Sequence, residues 1–176
     1  MKKVLIAVDE TKGSKAVFSV FNNLLRPPEE VILLHVGRLE GRSLMIDMLG
    51  EAELSTLKES LQGTEHMEAL NSRAEKILNY YRKELEGGGL VRIRTLVRYG
   101  VPSEEIAKAA EEEGADLVIT GFNDRKGLDR LIAGCVSMEV EKSSKVPVMV
   151  ARHPAEEKKA VVGRPIADKL VLKEGY

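Results

Sequence analysis

The sequence predicts an α/β fold: a doubly wound parallel sheet of five strands with helices on both faces. Three observations lead there. Short apolar runs rich in β-branched residues, Val4 to Val8, Val31 to Val36 and Leu117 to Thr120, read as strands covered on both faces. Between them, apolar residues recur at helical spacing over stretches long enough for the crossover that a parallel pair needs. The 176 residues, 43% apolar and 31% charged, suit one domain able to bury its core without disulfides.

Each element has its own signal. Asp9 follows the first strand directly, and Ala16, Val17, Val20, Phe21 and Leu24 then repeat at helical spacing until Pro27-Pro28 stops the helix. In the second strand His35 interrupts an otherwise apolar run and reads as a satisfied core residue. From Gly37 to about Met67 the pattern is irregular. Leu44, Met45, Met48 and Leu49 suggest one amphipathic turn, and Leu54, Leu57 and Leu61 a second. A mobile connection is the plainer reading, a lid or partner-binding helix the sharper one. Leu70, Ala74, Ile77, Leu78, Tyr81 and Leu85 mark a long helix that Gly87-Gly88-Gly89 ends. Adjacent helical residues point about 100° apart, so Tyr80 and Tyr81 form no shared stacking platform, and Tyr81 belongs to the core.

Val91, Ile93, Thr95 and Val97 alternate with Arg92, Arg94, Leu96 and Arg98, the pattern of an edge strand with one charged face. An acidic partner for that arginine stripe is the alternative. Pro102 with Glu104 and Glu105 opens the next helix as the dipole favours, and Gly114 caps its end. The strand Leu117 to Thr120 ends on Gly121. A polar loop containing Gly127 then leads to Gly134-Cys135-Val136-Ser137, where Val136 and Val140 begin a helical pattern. Such a helix start, with glycines nearby, is a natural anion cradle. Val146 to Ala151 is the last strand, and Pro147 places it at an edge.

Composition narrows the function classes. A net charge of −1 with dispersed Lys and Arg carries no footprint for nucleic acid or an anionic membrane. One cysteine excludes an internal disulfide and favours a reducing, cytoplasmic setting. The apolar core of MKKVLIAVDE is too short for a signal peptide, and nothing approaches the roughly 18 consecutive apolar residues of a membrane span. No G-x-x-x-x-G-K-[ST], G-x-S-x-G or H-E-x-x-H occurs, and His35, His66 and His153 lack metal-ligand spacing. A phosphoacceptor receiver would need an aspartate after the third strand, where Arg98-Tyr99-Gly100 stands instead.

VLIAVD with Ser14 in the following helix, the strand VILLHV and, above all, GVPSEEIAKAAEEEGADLVITG closely resemble the universal stress protein family. The resemblance covers residues 1–37 and about 70–152. It implies sheet order 3-2-1-4-5, as in adenine nucleotide alpha hydrolase-like folds, and a family domain over 1–152 with a variable insertion at about 38–69. Residues 153–176 would form a C-terminal tail over the subunit interface of a homodimer joined through Val146 to Ala151. The implied role is a cytoplasmic stress-response binding or signalling module, with at most weak ATP hydrolysis. ATP-binding members carry Gly, two residues, Gly, nine residues, then Gly followed by Ser or Thr. Here Gly121 and Gly134 hold the outer positions, Asp124 stands at the middle one, and Cys135 replaces the hydroxyl residue.

Carried over position by position, contacts to ATP, with Mg when bound, fall on Asp9, Val36, Thr120, Gly121, Gly134, Cys135, Val136 and Ser137. Plainer readings stand beside these. Asp9 can cap the helix after it, the glycines can serve turns, and Cys135 can be a small unreactive substitute for serine or a thiol activated by a helix start. A carboxylate at Asp124 repels a nearby phosphate unless it is turned away, paired with Arg125 or Lys126, or bridged by a metal ion. The alternative function is a dimeric interaction protein without nucleotide, acting through its dimer surface and residues 38–69.

Overall fold

A computed structural model describes residues 1–24, 26–39, 50–87, 92–122 and 135–152. The chain forms β1 (Lys3–Ala7), α1 (Lys12–Leu24), β2 (Glu30–Gly37), α2 (Glu51–Leu61), α3 (Glu65–Glu86) and β3 (Arg92–Tyr99), then α4 (Pro102–Glu112), β4 (Leu117–Gly121), α5 (Val136–Ser143) and β5 (Val148–Ala151). The strands make one sheet in the order β3-β2-β1-β4-β5, and every neighbouring pair is parallel.

β1 takes the centre because it is apolar on both faces; Val4, Leu5 and Ile6 are fully buried. Alternation along the strand then assigns the helices. Val4, Ile6 and Val8 pack with Val17 and Phe21 of α1 and with Ile77, Leu78 and Tyr81 of α3. Leu5 and Ala7 face the other way, against Ile106, Ala109 and Ala110 of α4 and Val140 of α5. The central strands are pinned together at their start: the Lys2 and Lys3 backbone N–H groups donate to Asp116 Oδ2 at 2.6 and 2.9 Å. Those two bonds, Lys3's first, hold the Asp116 carboxyl below its usual range.

Helix boundaries follow local chemistry. Thr64 Oγ1 accepts from the Met67 N–H at 3.3 Å to start α3, and Pro102 occupies the first turn of α4, where a missing N–H costs nothing. Gly114 stops α4 with φ +61°, a conformation that other residues adopt at a cost.

Residues 51–61, for which a mobile connection was the plainer expectation, form a helix. Leu54 is buried with Leu39 and Met67, and Leu57, Leu61, Leu70 and Tyr99 surround them in a small core apart from the main two. Lys58 reaches Glu105 of α4 at 3.5 Å. The turn suggested by Leu44, Met45, Met48 and Leu49 lies outside the described residues, as does the tail 153–176.

Both sheet edges fall where the sequence put them. At β3, Arg94 pairs with Glu30 at 3.3 Å and with Glu113, while Arg98 pairs with Glu105 at 3.7 Å and with Glu112. Two of the three arginines of the stripe, Arg94 and Arg98, are thus engaged by the chain's own carboxylates. β5 is the opposite edge and begins at Val148, after Pro147. Tyr81 is 4% exposed and Tyr80 is 50%, with their rings edge to face. No helix among the described residues is long and apolar enough to cross a membrane.

Candidate functional site

β1 and β4 lie side by side, but β1 leads to α1 on one face and β4 toward α5 on the other. Chains diverging in this way open a crevice at the strands' carboxyl ends. A cavity of about 330 Å³ occupies it, at the small end of the range for ligand pockets.

Asp9 stands at its floor and organises the turn after β1. Its backbone N–H donates to Ser14 Oγ at 2.8 Å, while its Oδ1 accepts from the Thr11 N–H at 2.8 Å, from Ser14 Oγ at 2.7 Å and from Thr11 Oγ1. All these side-chain bonds converge on Oδ1. Asp9 therefore caps the turn and still leaves Oδ2 without a hydrogen bond among the described residues, on a carboxylate that lines the cavity.

The end of β4 contributes buried Thr120 and half-buried Gly121. From α5 come Cys135, Val136 and Ser137. Cys135 occupies the N-cap position without a side-chain cap, and its Sγ lies 3.1 Å from the Oγ of Ser137, which is 1% exposed. Val36 enters from the end of β2. The structure thus gathers Asp9, Val36, Thr120, Gly121, Cys135, Val136 and Ser137 around one cavity. Gly134, together with Asp124, Arg125, Lys126 and Gly127, lies outside the described residues.

Other residues arrive that sequence reasoning did not assign to the site. Leu70, Arg73 and Ile77 line the cavity from α3, and Pro102 and Ile106 from α4. The α3 trio sits at i, i+3 and i+7, one face of a helix; an arginine on an otherwise apolar stripe was the available signal. At the rim, Arg73 Nε donates to Glu10 Oε1 at 2.6 Å and Nη2 to Oε2 at 2.5 Å. The hydrogen bond from Arg73 holds the Glu10 carboxyl below its usual range. His35, read as a core residue, is 9% exposed and also lines the cavity, with Nδ1 at 2.9 Å from the Val8 carbonyl.

The lining divides chemically. Val36, Leu70, Ile77, Pro102 and Ile106 offer apolar surface, whereas Asp9, Thr11, Ser14, Thr120 and Ser137 offer hydroxyls and a carboxylate. No group of three or more His, Cys, Asp or Glu that could hold a metal occurs among the described residues.

An open parallel sheet with a mixed apolar and polar crevice at its strand-order reversal defines a doubly wound α/β protein. The universal stress protein family model matches residues 1–152, and the chain belongs to that family. A universal stress protein of Methanocaldococcus jannaschii is 35% identical over 158 residues, 86% of this chain and 95% of the relative. The solved structure of that archaeal protein aligns with TM-score 0.63 at 29% identity, over 87% of this chain and 96% of its own. A family protein from Arabidopsis thaliana solved with AMP bound aligns with TM-score 0.59 at 17% identity, over 92% and 97% of the two chains. A universal stress protein in complex with cAMP aligns with TM-score 0.58 at 14% identity, over 87% and 98%.

Proposed function

We propose that this protein is a stress-response binding module that takes an adenine nucleotide, ATP with Mg among the candidates, at the carboxyl ends of β1 and β4. The observation that carries the reading is the cavity itself, which collects seven of the residues to which the family resemblance assigns ligand contacts. The AMP and cAMP complexes of the two structural neighbours support an adenine ligand. The ring would lie on the apolar surface, and Asp9 Oδ2 would accept from a ribose hydroxyl. The phosphates would meet the start of α5 and the loop from Gly121 to Gly134. Asp124 weakens that last contact by charge, unless Mg bridges it to phosphate.

The test is calorimetric titration of the stripped protein with ATP and Mg. Saturable heat in the micromolar range is expected, and silence at millimolar ATP would sink the reading. Asp124→Gly combined with Cys135→Ser restores the family loop and is expected to tighten ATP binding by about tenfold or more, since it removes a like charge and restores a hydroxyl donor.

A second reading keeps the family domain over 1–152, with 153–176 as a tail, and replaces nucleotide with protein. Two observations favour it: β5 is an edge strand, and α2 is a docked helix inside the variable insertion. In this reading the cytoplasmic protein acts as a homodimer, joined through Val146 to Ala151, whose partner recognises 38–69.

A further inference from the structure

We propose that the docking of α2 is coupled to the cavity: a molecule that fills the cavity tightens α2 onto its bed, and releasing α2 loosens the cavity's hold on that molecule. The inference goes beyond the nucleotide reading and rests on it for its probe, AMP or ATP.

Among the described residues none of α2 lines the cavity, so any influence between the two must pass through the wall that separates them. That wall is the surface on which α2 lies. Leu70 of α3 lines the cavity and also packs in the satellite core, against the elements that carry Leu54, Leu57 and Leu61. Gly37, another cavity residue, supports the ring of Tyr99 from the same core. A Cβ at Gly37 would stand 2.6 Å from Tyr99 Cε1, closer than real Cβ atoms come, so only glycine lets the ring rest there. The Tyr99 hydroxyl then donates to Asn71 Oδ1, one residue beyond Leu70. On the α4 side Lys58 of α2 reaches Glu105 at 3.5 Å, and Glu105 is followed by Ile106, which lines the cavity. Three separate contacts thus join α2 to cavity-lining segments of α3, β2 and α4.

The sign of the coupling follows from Leu70. It is half-buried, with one side on the satellite core and the other on the cavity. A ligand against the cavity side holds the rotamer on which the satellite core is packed, and departure of α2 frees that side chain again. Linkage makes the effect reciprocal: the factor by which a saturating ligand favours docked α2 equals the factor by which undocking weakens the ligand. A wall shared through so few side chains places that factor near the low end of such couplings, about fivefold. Occupancy of the crevice is thereby made readable at the outer face of α2, where Glu53, Ser55, Thr56 and Glu59 are exposed.

The experiment measures hydrogen exchange of the stripped full chain with and without saturating AMP or ATP, whichever calorimetry shows to bind. Exchange through global unfolding slows with any ligand, but exchange through local opening of 51–61 slows only if the opened form binds less well. About fivefold slower exchange is expected across 51–61, with no such change in the last turn of α3, 83–86, which lies off the wall. In the reciprocal arm Leu54→Ser combined with Leu57→Ser, neither of them a cavity residue, releases α2 and should weaken nucleotide binding by about the same fivefold. The exchange result on the unaltered chain stands even if that variant does not fold. Saturable binding that leaves exchange in 51–61 unchanged or quickens it overturns the inference and leaves the nucleotide reading intact. So does full affinity in a folded variant whose 51–61 amides exchange freely. Absence of saturable binding by AMP and ATP alike removes both.

Discussion

Ser14 holds the turn after β1 from two sides, accepting from the Asp9 N–H and donating to Asp9 Oδ1. Ser14→Ala therefore strips a partner from each of two groups on one residue, in a region only partly open to water. A loss of about 1–3 kcal/mol is expected in urea unfolding, together with weaker ligand binding as the Asp9 carboxylate loses its orientation. Arg73 tests the opposite expectation. Its pair with Glu10 is 57% and 51% exposed, and such pairs contribute only about 0–1 kcal/mol. Glu10→Ala should thus shift unfolding little, while Arg73 remains placed to touch whatever enters the rim. At this scale the cavity residues that end a strand were legible through the family resemblance: Asp9, Val36, Thr120 and Gly121 all line it. Arg73, Pro102 and Ile106 were not, because they reach the cavity from helices whose orientation only the packed sheet fixes.

Among the elements, β1, β2 and β4 were readable because burial on both faces leaves an unbroken apolar run. α2 was harder. Its three leucines cover a satellite core rather than the sheet, so its stripe is narrow and its neighbours come from three separate segments, Leu39 after β2, Met67 in α3 and Tyr99 at the end of β3. Leu54→Ala is expected to cost about 2 kcal/mol, the low end for a buried leucine, because that small core can close around the gap. Hydrogen exchange should quicken in 51–61 before it does in β1. Asp116 sets a pH dependence between elements. Its folded carboxyl titrates below the ordinary aspartate value of about 3.9, so its stabilisation is complete at neutral pH and disappears as pH falls through and below that value. Asp116→Asn should lower the Tm at neutral pH, and the gap to the unaltered protein should narrow in acid.

The whole molecule presents two unlike sheet edges. β3 is covered by arginine and glutamate pairs that discourage another strand, whereas β5 carries Val148, Met149 and Val150, all half-buried. The carbonyls of Pro147 and Ala151 accept from β4, so by alternation the backbone groups of Val148 and Val150 point outward. If two copies join there, Val150→Pro removes an outward donor without touching the β4 ladder. Sedimentation should show a dimer for the unaltered chain and a monomer for the variant; a monomer in both would exclude the β5 pairing. The aromatic inventory has a consequence at the same scale. The chain holds no tryptophan and four tyrosines, so its near-ultraviolet spectrum is a tyrosine spectrum. Tyr81 stacks on Phe18 at 4.9 Å and donates to the Asp9 carbonyl at 3.1 Å, and burial, then the Asp9 charge, push its phenol up to about 12. The fold has wired a chromophore to the residue that lines its cavity at the end of β1. Phenol emission and the late alkaline step in phenolate absorbance can report occupancy without any label.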